Sequence, residues 1–212
     1  VRILGATPVM IDIEEETFNI NSNLVIKKIN KNTKAIIPVH LYGKPADLIK
    51  LRKISKKFKI PIISDAAQAH NSLIDKKNIS FYSKATCFSF YPGKNLGAYG
   101  DGGAIVSNDK KFVDRIRMIA NHGRKTKYLH EINGLNSRLD SIQASILSVK
   151  LKYLLRWSNK RINIAKKYNK LLSGINSVRV PKLYDNEKHV FHLYVIRVDK
   201  DIRDILLSYL NK

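Results

Sequence analysis

Short apolar runs alternate with helix-period segments along most of the chain. Residues 7–13 (TPVMIDI) and 35–41 (AIIPVHL) read as strands, although Pro38 is awkward in the second because it removes a ladder donor. Between them NLVIKKIN reads as a short helix. In PADLIKLRKISKKFKI, Leu48, Leu51, Ile54 and Phe58 recur on one helical face, with Asp47 placed to cap it. IPIIS is a further buried strand, AQAHNSL a short helical turn, and ATCFSF and GAIVS two more strands. SND introduces the helix KKFVDRIRMIANHG, which Gly123 ends. Residues 139–172 keep a helical period throughout, as two consecutive helices stopped by Ser173 and Gly174. HVFHLYVIRV then alternates like a half-exposed strand, and DIRDILLSYLNK begins a helix.

Strands alternating with helices, and apolar on both sides, predict an α/β fold: a mostly parallel sheet flanked by helices. The long helical stretch followed by strand and helix predicts a second, smaller α/β domain. The expected division is 1–158 and 159–212, the second part being only the start of its domain. The chain opens and closes in mid-pattern, as an interior piece of a longer protein would.

With 212 residues, 44% of them hydrophobic, the chain is long enough for a packed core. Its net charge of +22, from 39 Lys+Arg against 17 Asp+Glu, suits anionic partners such as nucleic acid, a membrane surface or a phosphorylated small molecule. The Lys-Lys pairs at 27–28, 56–57, 76–77, 110–111 and 166–167 are spread through amphipathic patterns, which favours a solvated surface over a dedicated polyanion site. Cys87 has no partner for a disulfide and no zinc ligand set around it, so it reads as a core residue. No secretory signal and no membrane-length apolar span is present, so a cytoplasmic protein without a membrane partner is expected.

Parallel α/β sheets bind ligands at the carboxyl ends of their strands. Asp65 follows IPIIS, and the tip after CFSF carries Tyr91, Pro92, Gly93 and Lys94. A P-loop would need a glycine five residues before Gly93 and a Ser or Thr after the lysine; Phe88 and Asn95 stand there. A Rossmann fingerprint fails because glycines 97, 100, 102 and 103 are wrongly spaced and a strand follows them. A Schiff-base lysine fits better, since a glycine-rich turn leaving a buried strand confines the amine and leaves it backbone room. If the carbonyl belongs to pyridoxal phosphate, the ring nitrogen needs an anionic partner, and Asp65 is suitably placed.

Plainer readings exist for each residue. Lys94 could be a solvated loop lysine, Asp65 a helix N-cap, Ser89 a strand hydroxyl satisfied by backbone, and Gln68 polar surface. Asn136 could belong to a turn and Arg138 be a surface charge. His40 and His70 lie near the inferred crevice, or are hydrogen-bonded structural histidines. His189 and His192 fall on opposite faces of a strand and should not chelate a metal together, so no metal site is expected.

IIPVHLYGKPADL, SDAAQAHNS, CFSFYPGKNLGAYGDGGAIVSND, RIRMIANHGRKTKYLHEINGLNSRLDSIQASIL and HVFHLYVIRV follow one another in a fixed order over nearly the whole chain. In these pieces the chain resembles the DegT/DnrJ/StrS nucleotide-sugar aminotransferases, pyridoxal 5'-phosphate enzymes of fold type I. The resemblance implies that Lys94 is the Schiff-base lysine and proton shuttle and that Asp65 pairs with the pyridinium nitrogen. It implies Gln68 at the cofactor's phenolic oxygen and Ser89 at its phosphate. Asn136 would reach the partner's phosphate across a homodimer interface. Arg138 would take the carboxylate of the donor, glutamate, with His40 and Tyr91 as further substrate-side candidates. NSRLD and GRKTKYLHE resemble members that aminate dTDP-linked 3-keto-6-deoxyhexoses; a UDP-linked 3-keto hexuronic acid is the alternative substrate. The family's phosphate-gripping Ser/Gly/Thr turn would lie before Val1 and the end of the small domain beyond Lys212, so an inactive fragment is a further alternative. A non-catalytic DNA-binding regulator stands well behind, because no helix-turn-helix signature or aromatic-rich binding sheet is present.

Overall fold

The computed structural model describes every residue from Val1 to Lys212. Its helices are α1 (Ser22–Lys28), α2 (Leu48–Phe58), α3 (Lys110–Ala120), α4 (Ser141–Leu151), α5 (Leu154–Leu172) and α6 (Lys200–Leu210). Its strands are β1 (Ile63–Asp65), β2 (Leu73–Ile74), β3 (Lys77–Asn78), β4 (Ala85–Ser89), β5 (Gly103–Val106), β6 (Val178–Arg179), β7 (Glu187–Lys188) and β8 (Arg197–Val198).

The central sheet is built on β1 and β4, which run parallel with Ile63 opposite Ala85 and Asp65 opposite Cys87. β5 lies antiparallel on the far side of β4. On the near side of β1 the chain at 36–40 runs parallel to it through four backbone bonds: Ile36 N to Pro61 O, Ile63 N to Ile36 O, Asp65 N to Pro38 O and His40 N to Asp65 O. The rung missing from this series is the one an amide at 38 would donate, and Pro38 has no N–H. The strand expected over 35–41 is therefore reduced to bridges at Ile36 and Val39.

The fold is α/β with a mixed sheet. Parallel pairing joins 36–40, β1 and β4, whereas β5, the β3–β2–β7 ladder and the β6–β8 pair are antiparallel. Two expected strands do not form as read. In residues 7–13 only Ile13 makes a bridge, to Ile20, and Val9 and Met10 stand exposed with no strand beside them. In HVFHLYVIRV only Arg197–Val198 pairs. Val190 instead donates to the Gly43 carbonyl, Phe191 turns through φ +45°, and Val190 and Phe191 are buried consecutively, which a strand's alternation forbids.

The helices form where their periods place them. Asp47 accepts from Lys50 N and caps α2, which buries Leu48, Leu51 and Ile54. Asp109 accepts from Phe112 N and caps α3. AQAHNSL makes two successive turns, Ala69 N to Ala66 O and Ser72 N to Ala69 O. Nothing in the hydrophobic pattern announced the β2–β3 hairpin, whose turn residues Asp75 and Lys76 both adopt positive φ, 48° and 61°.

Two clusters of buried side chains hold these pieces. The larger gathers Leu48, Leu51 and Ile54 from α2 with Ile36, Ile62, Ala66, Ile74 and Ile79, each large side chain contributing roughly 2 kcal/mol by leaving water. The smaller joins Leu96 and Ala98 to Leu147 of α4 and Leu154 of α5, with Phe90 against it, and so fixes the loop that carries Lys94. By contrast α6 buries nothing. No helix is long and apolar enough to cross a membrane.

Candidate active site

Because β1 and β4 are parallel, their carboxyl ends share one edge of the sheet, and the two residues of greatest chemical interest leave from that edge. Asp65 is the last residue of β1. Its Oδ1 accepts the Ala67 amide at 3.0 Å, the N-cap-like use open to an Asp after a strand. Oδ2 takes no hydrogen bond and no cation pairs with the carboxylate, although it is half-buried.

The chain beyond Ser89 then makes a closed turn around Lys94. Lys94 N donates to Tyr91 O at 2.9 Å and Ala98 N to Phe90 O at 2.7 Å. Gly97 is required here: a Cβ on it would lie 2.3 Å from the Pro92 carbonyl oxygen. On its outer side, Lys150 Nζ of α4 donates to Gly97 O, and Gln143 Oε1 accepts from Tyr99 N at 2.8 Å.

Segment 189–192 and the Leu41–Gly43 turn close over this edge. Gly43, at φ +93°, sits where a Cβ would meet Val190 Cγ2 at 2.9 Å and both Gln68 O and His192 N at 3.0 Å. The neighbouring Tyr42 amide donates to Gln68 Oε1 at 2.6 Å, leaving the Gln68 NH₂ without a partner. Next to Lys94, the buried Asn95 donates from Nδ2 to Val190 O at 3.1 Å and pairs through Oδ1 with His192 Nδ1 at 3.3 Å. Arg161 of α5 anchors the same segment through Phe191 O at 3.2 Å.

Two imidazoles thus stand near the Lys94 charge. His70, against Phe88 and Phe90 with ring centroids 5.3 and 5.9 Å away, is held down to a pKa of about 4. Burial is the main cause, the charges of His192 and Lys94 act in the same direction, and the Ser89 backbone opposes them. His192 is lowered by burial first and then by Lys94 and Arg161. Both rings are neutral near pH 7. Neither nitrogen of His70 makes a well-formed hydrogen bond, the Ser89 backbone being the polar group that favours its charged form.

The other sequence-predicted residues fall in different places. Ser89 Oγ accepts from Tyr91 N at 3.3 Å and has its own proton to give. Tyr91 is exposed at the mouth of the turn. His40 is fully buried, accepts the Ala46 amide on Nδ1 at 2.9 Å and is pushed by burial down to about 3, a structural setting that leaves no surface for a substrate. Asn136 and Arg138 are exposed and bonded to each other, Arg138 Nε to Asn136 Oδ1 at 3.1 Å. They hang from the end of α3 through Ser137 N to Ala120 O, and no hydrogen bond joins them to the Lys94 turn.

Sequence reasoning missed Asn95, Tyr42 and His192. The first adjoins Lys94 and is an amide in a turn that becomes buried, while His192 was weighed only as a metal ligand on a strand that does not form. Cys87, half-buried rather than in the core, has its thiol pushed up by burial and by the charge of Asp65. A cleft of 430 Å³ lies beside the site, shares Leu41 and Tyr42 of the covering turn with it, and is lined by none of Asp65, Gln68, Ser89 or Lys94.

The donor set fits pyridoxal phosphate. An unengaged carboxylate oxygen, a half-buried lysine, a hydroxyl with a free proton and an amide NH₂ without an acceptor stand along one edge, each the type the group's ring nitrogen, aldehyde, phosphate and phenolic oxygen would require.

Comparison with known proteins points to one family. The model of the DegT/DnrJ/EryC1/StrS aminotransferase family matches residues 1–212. The chain is 45% identical over 210 residues to the pleiotropic regulatory protein of Geobacillus stearothermophilus, covering 98% of this chain and 56% of that one. It is 41% identical over 211 residues to the dTDP-3-amino-3,4,6-trideoxy-alpha-D-glucose transaminase of Streptomyces venezuelae, covering 100% and 55%. The structure of NtdA from Bacillus subtilis with bound cofactor PMP superimposes with a TM-score of 0.91 at 33% identity, over 98% of this chain and 48% of that one. The chain spans about half the length of the curated relatives it matches.

Proposed function

Because the chain belongs to the DegT/DnrJ/EryC1/StrS aminotransferase family, we propose that it carries the lysine-bearing centre of an aminotransferase acting on a nucleotide sugar. The amino group passes from L-glutamate to a dTDP-linked 3-keto-6-deoxyhexose, with pyridoxal phosphate as cofactor. The observation that carries this reading is the pairing of an unengaged Asp65 Oδ2 with a confined Lys94 turn on one edge of one parallel strand pair. The dTDP-sugar transaminase at 41% identity supports the substrate class.

When bound, pyridoxal phosphate supplies an electron sink for the carbon that loses a proton. Asp65 would hold the ring nitrogen protonated, with Ala67 N keeping the carboxylate aimed. Gln68, its oxygen tied to Tyr42 N, gives its NH₂ to the phenolic oxygen, and Ser89 gives its hydroxyl proton to the phosphate. Lys94 Nζ would hold the cofactor through its aldehyde carbon and, once displaced by substrate, would carry a proton between the substrate carbon and the cofactor in each half-reaction. The neutral His70 and His192 exclude water and a competing positive charge beside that amine. Tyr91 borders the substrate entrance.

Residues 1–158 form the cofactor-binding part and residues 159–212 begin the smaller domain, with α5 running through the division. A second copy covers the apolar surface around Asn136 and Arg138, where Tyr128, Leu129, Leu135, Leu139 and Ile142 are exposed. That arrangement lets Asn136 reach the partner's phosphate and Arg138 the donor carboxylate, and it accounts for both residues standing clear of their own Lys94 turn.

The test is an assay of 2-oxoglutarate release from glutamate with a dTDP-3-keto-6-deoxyhexose, run against a UDP-3-keto-hexuronic acid. Turnover of the first with little of the second supports the reading. Preference for the second replaces the substrate. Turnover of neither by protein that binds the cofactor removes it.

A further inference from the structure

A second cleft, of 450 Å³, lies at the opposite edge of the same sheet. Its walls include Ile60 to Ile62, where the chain enters β1, and Ser83 and Lys84, where it enters β4. Since those strands are parallel, this edge is the one farthest from Asp65 and Lys94.

The cleft is lined by four cations, Arg52, Lys56, Lys59 and Lys84, by the rings of Phe81 and Tyr82, and by no carboxylate. Burial of Leu48, Leu51 and Ile54 fixes the rotation of α2, so Arg52 and Lys56 stand one turn apart on one stripe and Lys59 continues it. Of the four only Lys84 makes an ion pair, with Asp109. Arg52 Cζ sits 4.8 Å from the Phe81 ring centroid, and Lys77 Nζ lies 4.5 Å from the same centroid. The ring thereby holds two cations in place. Lys59 occupies a left-handed conformation, φ +56°, where glycine is the usual residue, at a cost of about 1 kcal/mol.

Four like charges in one cleft repel one another, and one of them sits on a strained backbone. Arg52, Lys56 and Lys59 have no carboxylate partner inside the chain, and cations gathered without one mark a place where an outside anion can compensate. The sequence spreads its lysines; folding gathers these. A row of cations along an open, shallow cleft suits a flexible linear polyanion. Phe81, partly exposed at the cleft, adds aromatic surface that a base can contact.

We propose that this cleft binds the phosphodiester backbone of single-stranded nucleic acid, at a site separate from the transamination centre and independent of it. The test is fluorescence anisotropy of a labelled oligo-dT with the full chain at several salt concentrations. Contact with about four phosphates predicts a slope of log affinity against log salt of roughly −3. Lys56→Glu with Lys59→Glu, both exposed positions, is expected to weaken binding at least tenfold. Lys166→Glu with Lys167→Glu on α5 makes the same change in net charge and is expected to stay within twofold. Arg52→Gln, read separately, is expected to weaken binding several-fold with an unchanged melting temperature. Equal losses in the two double variants overturn the proposal, because net charge alone then explains binding. So does the absence of saturable binding below about 100 µM, or a loss by the Lys56/Lys59 variant confined to phosphatidylserine vesicles.

Discussion

Asn95 and His192, 97 positions apart in the chain, meet through Oδ1 and Nδ1 at 3.3 Å, while the other end of the same amide donates to Val190 O at 3.1 Å. A residue adjoining the proposed catalytic lysine therefore ties its turn to a segment near the carboxyl end of the chain. Asn95→Ala removes both bonds and strands a buried carbonyl, a loss of about 1–3 kcal/mol. Thermal melting should show it, and cofactor affinity should fall with it. Unchanged affinity in a folded variant would mean that segment 189–192 does not shape the site.

Gly97 offers a sharper probe of the turn. Alanine there would set a methyl carbon against the Pro92 carbonyl, and neither backbone can yield without moving Lys94. The expected cost is about 1–3 kcal/mol of stability, with loss of covalent cofactor attachment measured by absorbance. Gly174, which has open space around its Cβ position and no positive φ, is the control.

Asp65→Asn keeps an oxygen for the Ala67 amide and so preserves the local fold. It removes the charge that holds the ring nitrogen protonated. Turnover is expected to drop on the order of 100-fold or more, with the melting temperature nearly unchanged. A variant that turns over like the parent would show that the carboxylate only caps its turn.

Stability should depend on pH through three buried histidines. His40, His70 and His189 are lowered by burial to about 3, 4 and 3, while in the unfolded chain each titrates near its ordinary 6.5. As pH falls below about 6.5 the unfolded state takes up protons that the folded state refuses, so stability is full above that value and declines toward the folded pKa values. Each ring contributes about 1–2 kcal/mol of this loss at pH 5. Urea midpoints from pH 7 to 5 measure it, and His70→Phe should flatten the slope by about a third if the three act independently.

The exposed apolar group around Asn136 predicts self-association. Leu129→Ser with Leu135→Ser should shift the protein toward monomer in analytical ultracentrifugation and weaken cofactor binding, because Asn136 would lose its partner. Both leucines are at least half exposed, so the monomer itself should keep its melting temperature.

The helices were legible because each carries its own instructions. Asp47 and Asp109 cap, Leu48, Leu51 and Ile54 keep one period, and the local pattern matches the burial that folding produces. The strands were legible where a neighbour pairs along them, as in β1, β4 and the largely exposed β5. Residues 7–13 share the same composition but have no neighbour to pair with, and a strand is a relation between segments rather than a property of one. HVFHLYVIRV failed for the same reason: Val190 found the Gly43 carbonyl instead of a ladder. Asp65 and Lys94 could be singled out because they leave strand ends beside recognisable turns, whereas Gln68 and Ser89 were implied only by the family resemblance. His192 and Asn95 could not, since their importance comes from a contact across 97 positions that no local pattern records.

The most direct measurement adds pyridoxal phosphate to the protein, reduces with borohydride and maps the labelled peptide by mass spectrometry. The account predicts a visible absorption band before reduction and a single stoichiometric label on Lys94, lost in Lys94→Ala. Label scattered over the many exposed lysines, or a band that survives Lys94→Ala, would contradict it.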